Sequence, residues 1–247
     1  AARHADYLAG HDDIYARLDD LINHDKLPHA LIFSGLKGIG KSTLAYRLIR
    51  RLMAETRDIE SVKRQISSLG HPDFLLIERE MDERKNARRN LIDVKQARRV
   101  PPFMRMTASD GGWRTVLIDD ADTMNVDAQN AVLKILEEPP EKGLIILICH
   151  RLGAMLPTIR SRARVVSFSP LSQDDFQSVL MQDDLDFSAS QWDLLYRLSD
   201  GSPGAALSLL DEGGLEAVEN IIGFFDNWPD IDWVHIHNFA RELSRAD

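Results

Sequence analysis

Thiol chemistry is nearly absent from this chain. One cysteine among 247 residues, Cys149, excludes an intramolecular disulfide and a cysteine-rich zinc site, and it fits a reducing cytoplasm. Long apolar runs are missing as well: the longest, Leu144 to Cys149, falls far below the roughly 20 residues that cross a bilayer. The opening AARHADYLAGHDD has no apolar signal core. Positive charge is in deficit. A formal net charge of -9 argues against whole-molecule attraction to nucleic acid and leaves any DNA contact to a local patch or a partner. Internal repeats and low-complexity tracts do not occur. Together these absences predict a soluble, cytoplasmic protein with no membrane partner. At 44% hydrophobic and 28% charged, the chain has enough apolar material for an ordinary globular fold of one to three domains.

Five short apolar runs lack polar alternation: Leu31-Ile32-Phe33, Phe74 to Ile77, Val116-Leu117-Ile118, Leu144 to Cys149, and Val165 to Phe168. Such runs suit strands buried on both faces. Helical periods lie between them, as in Leu44, Leu48 and Leu52, and in Ala128, Val132, Ile135 and Leu136 before the Pro139-Pro140 stop. Alternation of this kind predicts an α/β fold with a parallel five-stranded sheet over residues 1–170. After Pro170 only helix signals remain. Ser172 with Asp175 reads as a capping box, Gly201 as a helix stop, and Ser202-Pro203 as the start of the next helix. A small all-helical domain is therefore expected over 171–213. Beyond Gly213-Gly214, helical stretches at Leu215 to Phe225 and Ile231 to Leu243 open a third helical domain over 214–247, truncated because no stop signal follows.

The chemistry begins at Gly35 to Thr43, GLKGIGKST, which satisfies G-x-x-x-x-G-K-[ST] between a buried strand and an amphipathic helix. Gly35, Gly38 and Gly40, with Leu36, Lys37 and Ile39 between them, let backbone N–H groups approach phosphate oxygens. Lys41 neutralises the terminal phosphates, Ser42 offers its hydroxyl to magnesium, and the helix that carries Thr43 directs a positive dipole end at the same anion. The expected cofactors are ATP and Mg. At the end of the Val116 strand, Asp119 is the expected magnesium ligand. Asp120 is a catalytic candidate standing where many ATPases carry Glu; one missing methylene retracts its carboxylate, so weak hydrolysis is expected. His71 reads as a turn before a strand, Cys149 as a buried strand residue, and Trp192 with Tyr196 as helix core. Arg84 to Arg89 reads as a solvated basic loop.

GLKGIGKST, LIDDAD, AQNAVLKILEEPP and LPTIRSRARVVSFSPL, in that order, resemble the delta-prime subunits of bacterial DNA polymerase III clamp loaders. The most specific elements are Val132 to Pro140 and the Ser161-Arg162 pair, and the match spans roughly Leu8 to Leu210. The resemblance implies an AAA+ ATPase module, a helical lid and a helical collar within a five-subunit ring. Tau/gamma and delta subunits would be its partners, with the sliding clamp and primed DNA reached through the complex. It also implies that Arg162 reaches in trans to a neighbour's ATP, with Ala163 in place of the family's Cys. Such arginine fingers are worth roughly 10³ to 10⁵ in rate.

Departures matter too. The related motor subunits carry an Arg where this chain has Gly204, and a four-Cys zinc insert where it has only Ser61 to Gly70, so no zinc is expected. His150 follows Cys149 near where the family often places a small polar residue against the γ-phosphate. Two classes of function stay open at this point: a nucleotide-holding ring component that lends Arg162 to its neighbour, and a self-hydrolysing tau/gamma-like motor acting through Lys41, Ser42, Asp119 and Asp120. A small-molecule kinase lacks an evident acceptor site.

Overall fold

The computed structural model describes residues 2–5, 7–82, 87–183, 185–226 and 241. In chain order the α/β part consists of α1 (Asp12–Asn23), β1 (Ala30–Ser34), α2 (Lys41–Met53), α3 (Ile59–Ser67), β2 (Phe74–Ile77), β3 (Met81–Asp82), β4 (Ala87–Arg88), α4 (Val94–Ala97), α5 (Val100–Arg105), β5 (Arg114–Ile118), α6 (Val126–Glu137), β6 (Gly143–Cys149), α7 (Pro157–Arg160) and β7 (Arg164–Ser167). The helical part consists of α8 (Gln173–Leu180), α9 (Ala189–Leu198), α10 (Pro203–Asp211) and α11 (Gly214–Asp226).

The five apolar runs form one sheet of order β2-β5-β6-β1-β7, and every pairing in it is parallel. Alternate residues feed two cores. Leu31 and Phe33 of β1, with Ile146 and Ile148 of β6, pack under Leu44, Leu48 and Leu52 of α2. Ala30, Ile32, Ile145 and Leu147 face Ala128, Val132 and Ile135 of α6. Both faces of β1, β5 and β6 are thus apolar, which is why these strands show no polar alternation, whereas β7 lies at the sheet edge with Arg164, Val165 and Ser167 exposed, so its run is not buried on both faces as expected. Each buried Leu, Ile, Val or Phe among them contributes about 1.5–3 kcal/mol by its burial. Because all strands run the same way, their C-terminal ends share one rim. At the opposite rim, Arg114 donates to Asp73 at 2.7 Å, stacks over Phe103 and donates to the Thr107 carbonyl, which joins β2 to β5 through a buried ion pair.

The helical part has its own core of Leu171, Phe176, Leu180, Trp192, Leu195 and Ala206, so Trp192 is a packing residue, as expected. Tyr196 meets Phe176 edge-on at 5.3 Å and donates its hydroxyl to the Leu171 carbonyl. Two expectations about local structure need correction. The Ser172 hydroxyl caps the Asp175 N–H, but the Asp175 carboxylate accepts from that same hydroxyl and not from the Ser172 backbone, so the capping box is half made. The Gly201 stop is made as expected: beyond the Ser199 cap of α9, the Asp200 and Gly201 N–H groups donate to the Arg197 and Tyr196 carbonyls, with Gly201 in the left-handed region. In the basic loop, Ala87 and Arg88 pair with Met81 and Asp82 as an antiparallel ladder, while Arg84, Lys85 and Asn86 lie outside the described residues. So do residues 227–240 and 242–247, which hold most of the expected last helix. Among the described residues no helix is long and apolar enough to cross a membrane.

Candidate functional site

β1 delivers the chain to the rim at Ser34, and Gly40 turns it into α2 with φ of 100° and no side-chain cap. The first N–H groups of α2 therefore have no side-chain acceptor, the arrangement that favours an anion at a helix start. Ile39 is buried and anchors the loop from below, while Leu36 is exposed. The His11 ring, edge-on to Phe168, bonds the Ile39 carbonyl at 2.7 Å and fixes the loop from the N-terminal side.

Lys41 is 3% exposed. Its ammonium donates to the Gly35 carbonyl at 2.7 Å, the Leu36 carbonyl at 2.5 Å and His150 Nδ1 at 2.9 Å, which occupies all three hydrogens. Burial lowers its pKa to about 8, against the pull of Asp119. Ser42 Oγ lies 3.3 and 3.4 Å from the two Asp119 oxygens, so the hydroxyl and carboxylate predicted to share magnesium do meet. These hard oxygen donors suit magnesium, which is commonly held by one or two carboxylates together with substrate phosphates. Burial, and Asp120 next to it, raise the pKa of Asp119.

Asp120 reaches the same rim in a left-handed conformation, φ 57°. Both its oxygens are engaged: Oδ1 with His150 Nε2 at 2.7 Å, and Oδ2 with Arg79 Nε at 2.9 Å and Nη2 at 2.8 Å. The His150 hydrogen bond, then Arg79, hold its pKa down at about 2. A carboxylate so acidic and so fully paired is a poor acceptor for a proton from water.

His150 is the residue whose role sequence reasoning missed. Its backbone N–H donates to buried Asp122, and its ring bridges Lys41 to Asp120. The available signal was its position just past the end of a buried strand, on the rim where parallel sheets place ligands. Cys149 before it is buried with its pKa raised to about 11 by desolvation, hence a neutral thiol and no nucleophile. His71 makes the expected turn, its Nδ1 accepting from the Asp73 N–H at 3.1 Å.

The helical part closes directly on the loop. Ser202 Oγ donates to the Lys37 carbonyl at 2.7 Å, and Gly204 N to the Gly38 carbonyl at 3.0 Å. At this approach a methyl built on Gly204 would lie 2.7 Å from Gly38 Cα, so a larger residue cannot fit without separating the two parts. Between the N-terminal segment, the loop and the helices is a cavity of about 430 Å³; Leu8, Leu171, Val179 and Leu207 form apolar walls, and Gly38 to Thr43 line its base. That volume suits a small organic ligand.

Arg162 stands apart from this group. It follows α7, half-buried, with Nη2 on Glu137 at 2.8 Å and Nη1 on the Thr158 carbonyl at 3.0 Å, and none of these partners belongs to the loop.

Comparison with known proteins bears on the whole arrangement. Residues 10–172 match the family described as DNA polymerase III, delta subunit. The chain is 34% identical over 201 residues to the DNA polymerase III subunit delta' of Pseudomonas aeruginosa, covering 78% of this chain and 59% of that one. It is 27% identical over 212 residues to the replication factor C small subunit of Methanococcus vannielii, covering 84% and 61% respectively. The chain thus spans about three fifths of the length of these relatives. In fold it is similar to the Aeropyrum pernix ORC1 protein, an AAA+ structure, with TM-score 0.54 and 18% identity over 98% of this chain and 67% of that one.

Proposed function

The chain belongs to the delta-prime family of DNA polymerase III clamp-loader subunits, and on that premise we propose that it is a nucleotide-holding ring component whose own hydrolysis is weak and whose Arg162 serves the site of a neighbouring subunit. The observation that carries this reading is the division of labour at the rim. Lys41, Ser42 and Asp119 converge at the uncapped start of α2, whereas Asp120, the residue nearest a water-activating role, is closed off by His150 and Arg79.

In this reading Gly35 to Thr43 hold the phosphates of ATP, and the apolar cavity under α8 and α10 takes the base. Ser42 and Asp119 hold magnesium, which when bound neutralises phosphate charge. The chain's own residues supply positioning: backbone N–H groups orient the anion, and the lid excludes water. Arg162 follows α7 and meets Glu137 at the end of α6, and its fork can exchange that one carboxylate for phosphate oxygens. The tau/gamma and delta subunits are the proposed partners, acting with the sliding clamp on primed DNA in the cytoplasm. Residues 1–170, 171–213 and 214–247 are the proposed module, lid and start of a collar.

The test is ATP turnover by the isolated chain and by the ring reconstituted with its partners, clamp and primed DNA. Wild type alone is expected to turn over little, and Arg162→Ala to slow the facing site by roughly 10³ to 10⁵. Substantial turnover by the isolated chain, abolished by Lys41→Ala, would instead establish a tau/gamma-like motor, which the intact Lys41, Ser42 and Asp119 set also allows. An assembled ring indifferent to Arg162→Ala removes the finger assignment.

A further inference from the structure

We infer that this site retains a nucleoside diphosphate in preference to a triphosphate, because the His150 imidazole occupies the place a terminal phosphate needs. The inference rests on the proposal that the loop binds nucleotide, and adds which nucleotide it keeps.

Two of the three Lys41 hydrogens stay within the loop, on the Gly35 and Leu36 carbonyls, and only the third points outward. In a loop of this kind the backbone cradles the inner phosphates while the lysine reaches the outer ones. Here the outward hydrogen ends on His150 Nδ1 at 2.9 Å. An ammonium can only donate, so Nδ1 is an acceptor and the ring proton sits on Nε2, where it is donated to Asp120 Oδ1 at 2.7 Å. The ring is therefore held at both nitrogens, and the backbone N–H of the same residue is fixed on Asp122 at 3.1 Å.

A third phosphate and the imidazole compete for one hydrogen and one volume. Admitting the phosphate means turning the ring out, which breaks the bond to Lys41 and the bond to Asp120 and leaves that carboxylate to Arg79 alone. A diphosphate is cradled by the loop backbone and the start of α2, and its outer phosphate can take a Lys41 hydrogen from the Gly35 or Leu36 carbonyl, so it makes no such demand on the ring. Loss of hydrogen bonds to charged groups on this scale shifts a binding constant by about tenfold or more. A small polar residue at the same place would leave the volume open, so the preference belongs to the imidazole.

Titration calorimetry of the full chain with Mg-ADP and with a non-hydrolysable Mg-ATP analogue tests this, using wild type, His150→Ala and His150→Asn. Wild type is expected to bind ADP at least about tenfold more tightly than the analogue, and His150→Ala to collapse that ratio by tightening the analogue. His150→Asn keeps an amide for Asp120 and guards against a misfolded alanine variant, and it is expected to move the ratio the same way. Equal or tighter binding of the analogue by wild type overturns the inference, as does a ratio that neither variant moves. If wild type binds neither ligand, the nucleotide-holding proposal itself fails, an outcome distinct from binding without preference.

Discussion

At Lys41, burial and charge oppose one another, and burial prevails. The folded-state pKa of about 8 lies below the ordinary 10.5, so between those values the unfolded chain holds the proton more tightly. The residue therefore costs stability below about pH 8, and the cost is relieved as pH rises from there toward 10.5. An anionic ligand pulls the proton back. Nucleotide binding is expected to take up a fraction of a proton near pH 9 and almost none near pH 7, with affinity falling above about pH 8. Calorimetry in two buffers of different ionisation enthalpy measures the uptake; release of protons at the higher pH would contradict it. Asp120 runs the other way. Its pKa near 2 gives a contribution present above the ordinary carboxylate range and lost only as pH falls through about 2. Lys41, Ser42 and Asp119 were legible in the sequence because fixed spacing after a buried strand dictates where they go. His150 was not, since its role arises from β1 and β6 lying side by side, which brings together residues 109 positions apart. The Arg162 partner Glu137 was hidden likewise, because that pair depends on α7 packing against α6.

Among the elements, the contact of the α10 start with the Gly35 to Thr43 loop invites substitution. Gly204→Ala places a methyl against Gly38 Cα, a backbone atom with little room to yield, and is expected to loosen the lid by about 1–3 kcal/mol. Ser202→Ala removes both the cap on the Ala205 N–H and the bond to the Lys37 carbonyl, a loss of about 1–2 kcal/mol. Amide hydrogen exchange should accelerate in α8 to α10 well before it does in β1 and β6; uniform acceleration would mean that the lid is not the part released. Strands and long helices could be read from sequence because burial imposes a period on them. The ladder of Met81–Asp82 with Ala87–Arg88 could not, since two-residue strands carry no period and this one is fixed by Arg88 on Glu78 and Arg89 on Glu80. α3 and α4 begin at side-chain caps, Asp58 and Asp93, and could have been found from them.

For the molecule as a whole, ligand binding and stability are one equilibrium. Saturation with Mg-ADP at a hundredfold excess over Kd adds about 2.7 kcal/mol, which for a chain of this length raises Tm by roughly 5–10 °C. Lys41→Ala should abolish the rise; a rise that survives it would place the ligand elsewhere. The parallel sheet could be foreseen from alternating strands and helices, but its order could not, because no local feature of β1 says that it lies between β6 and β7. The charge deficit likewise said what the surface would not do without locating the rim where Arg79, Lys41 and His150 gather. The bonds from Ser202 and Gly204 to the loop carbonyls carry one more consequence, in time and not in affinity. On the nucleotide-holding proposal, a ligand lying beneath them would leave no faster than the helical part lifts, so its shortest dwell is bounded by how often two hydrogen bonds open together.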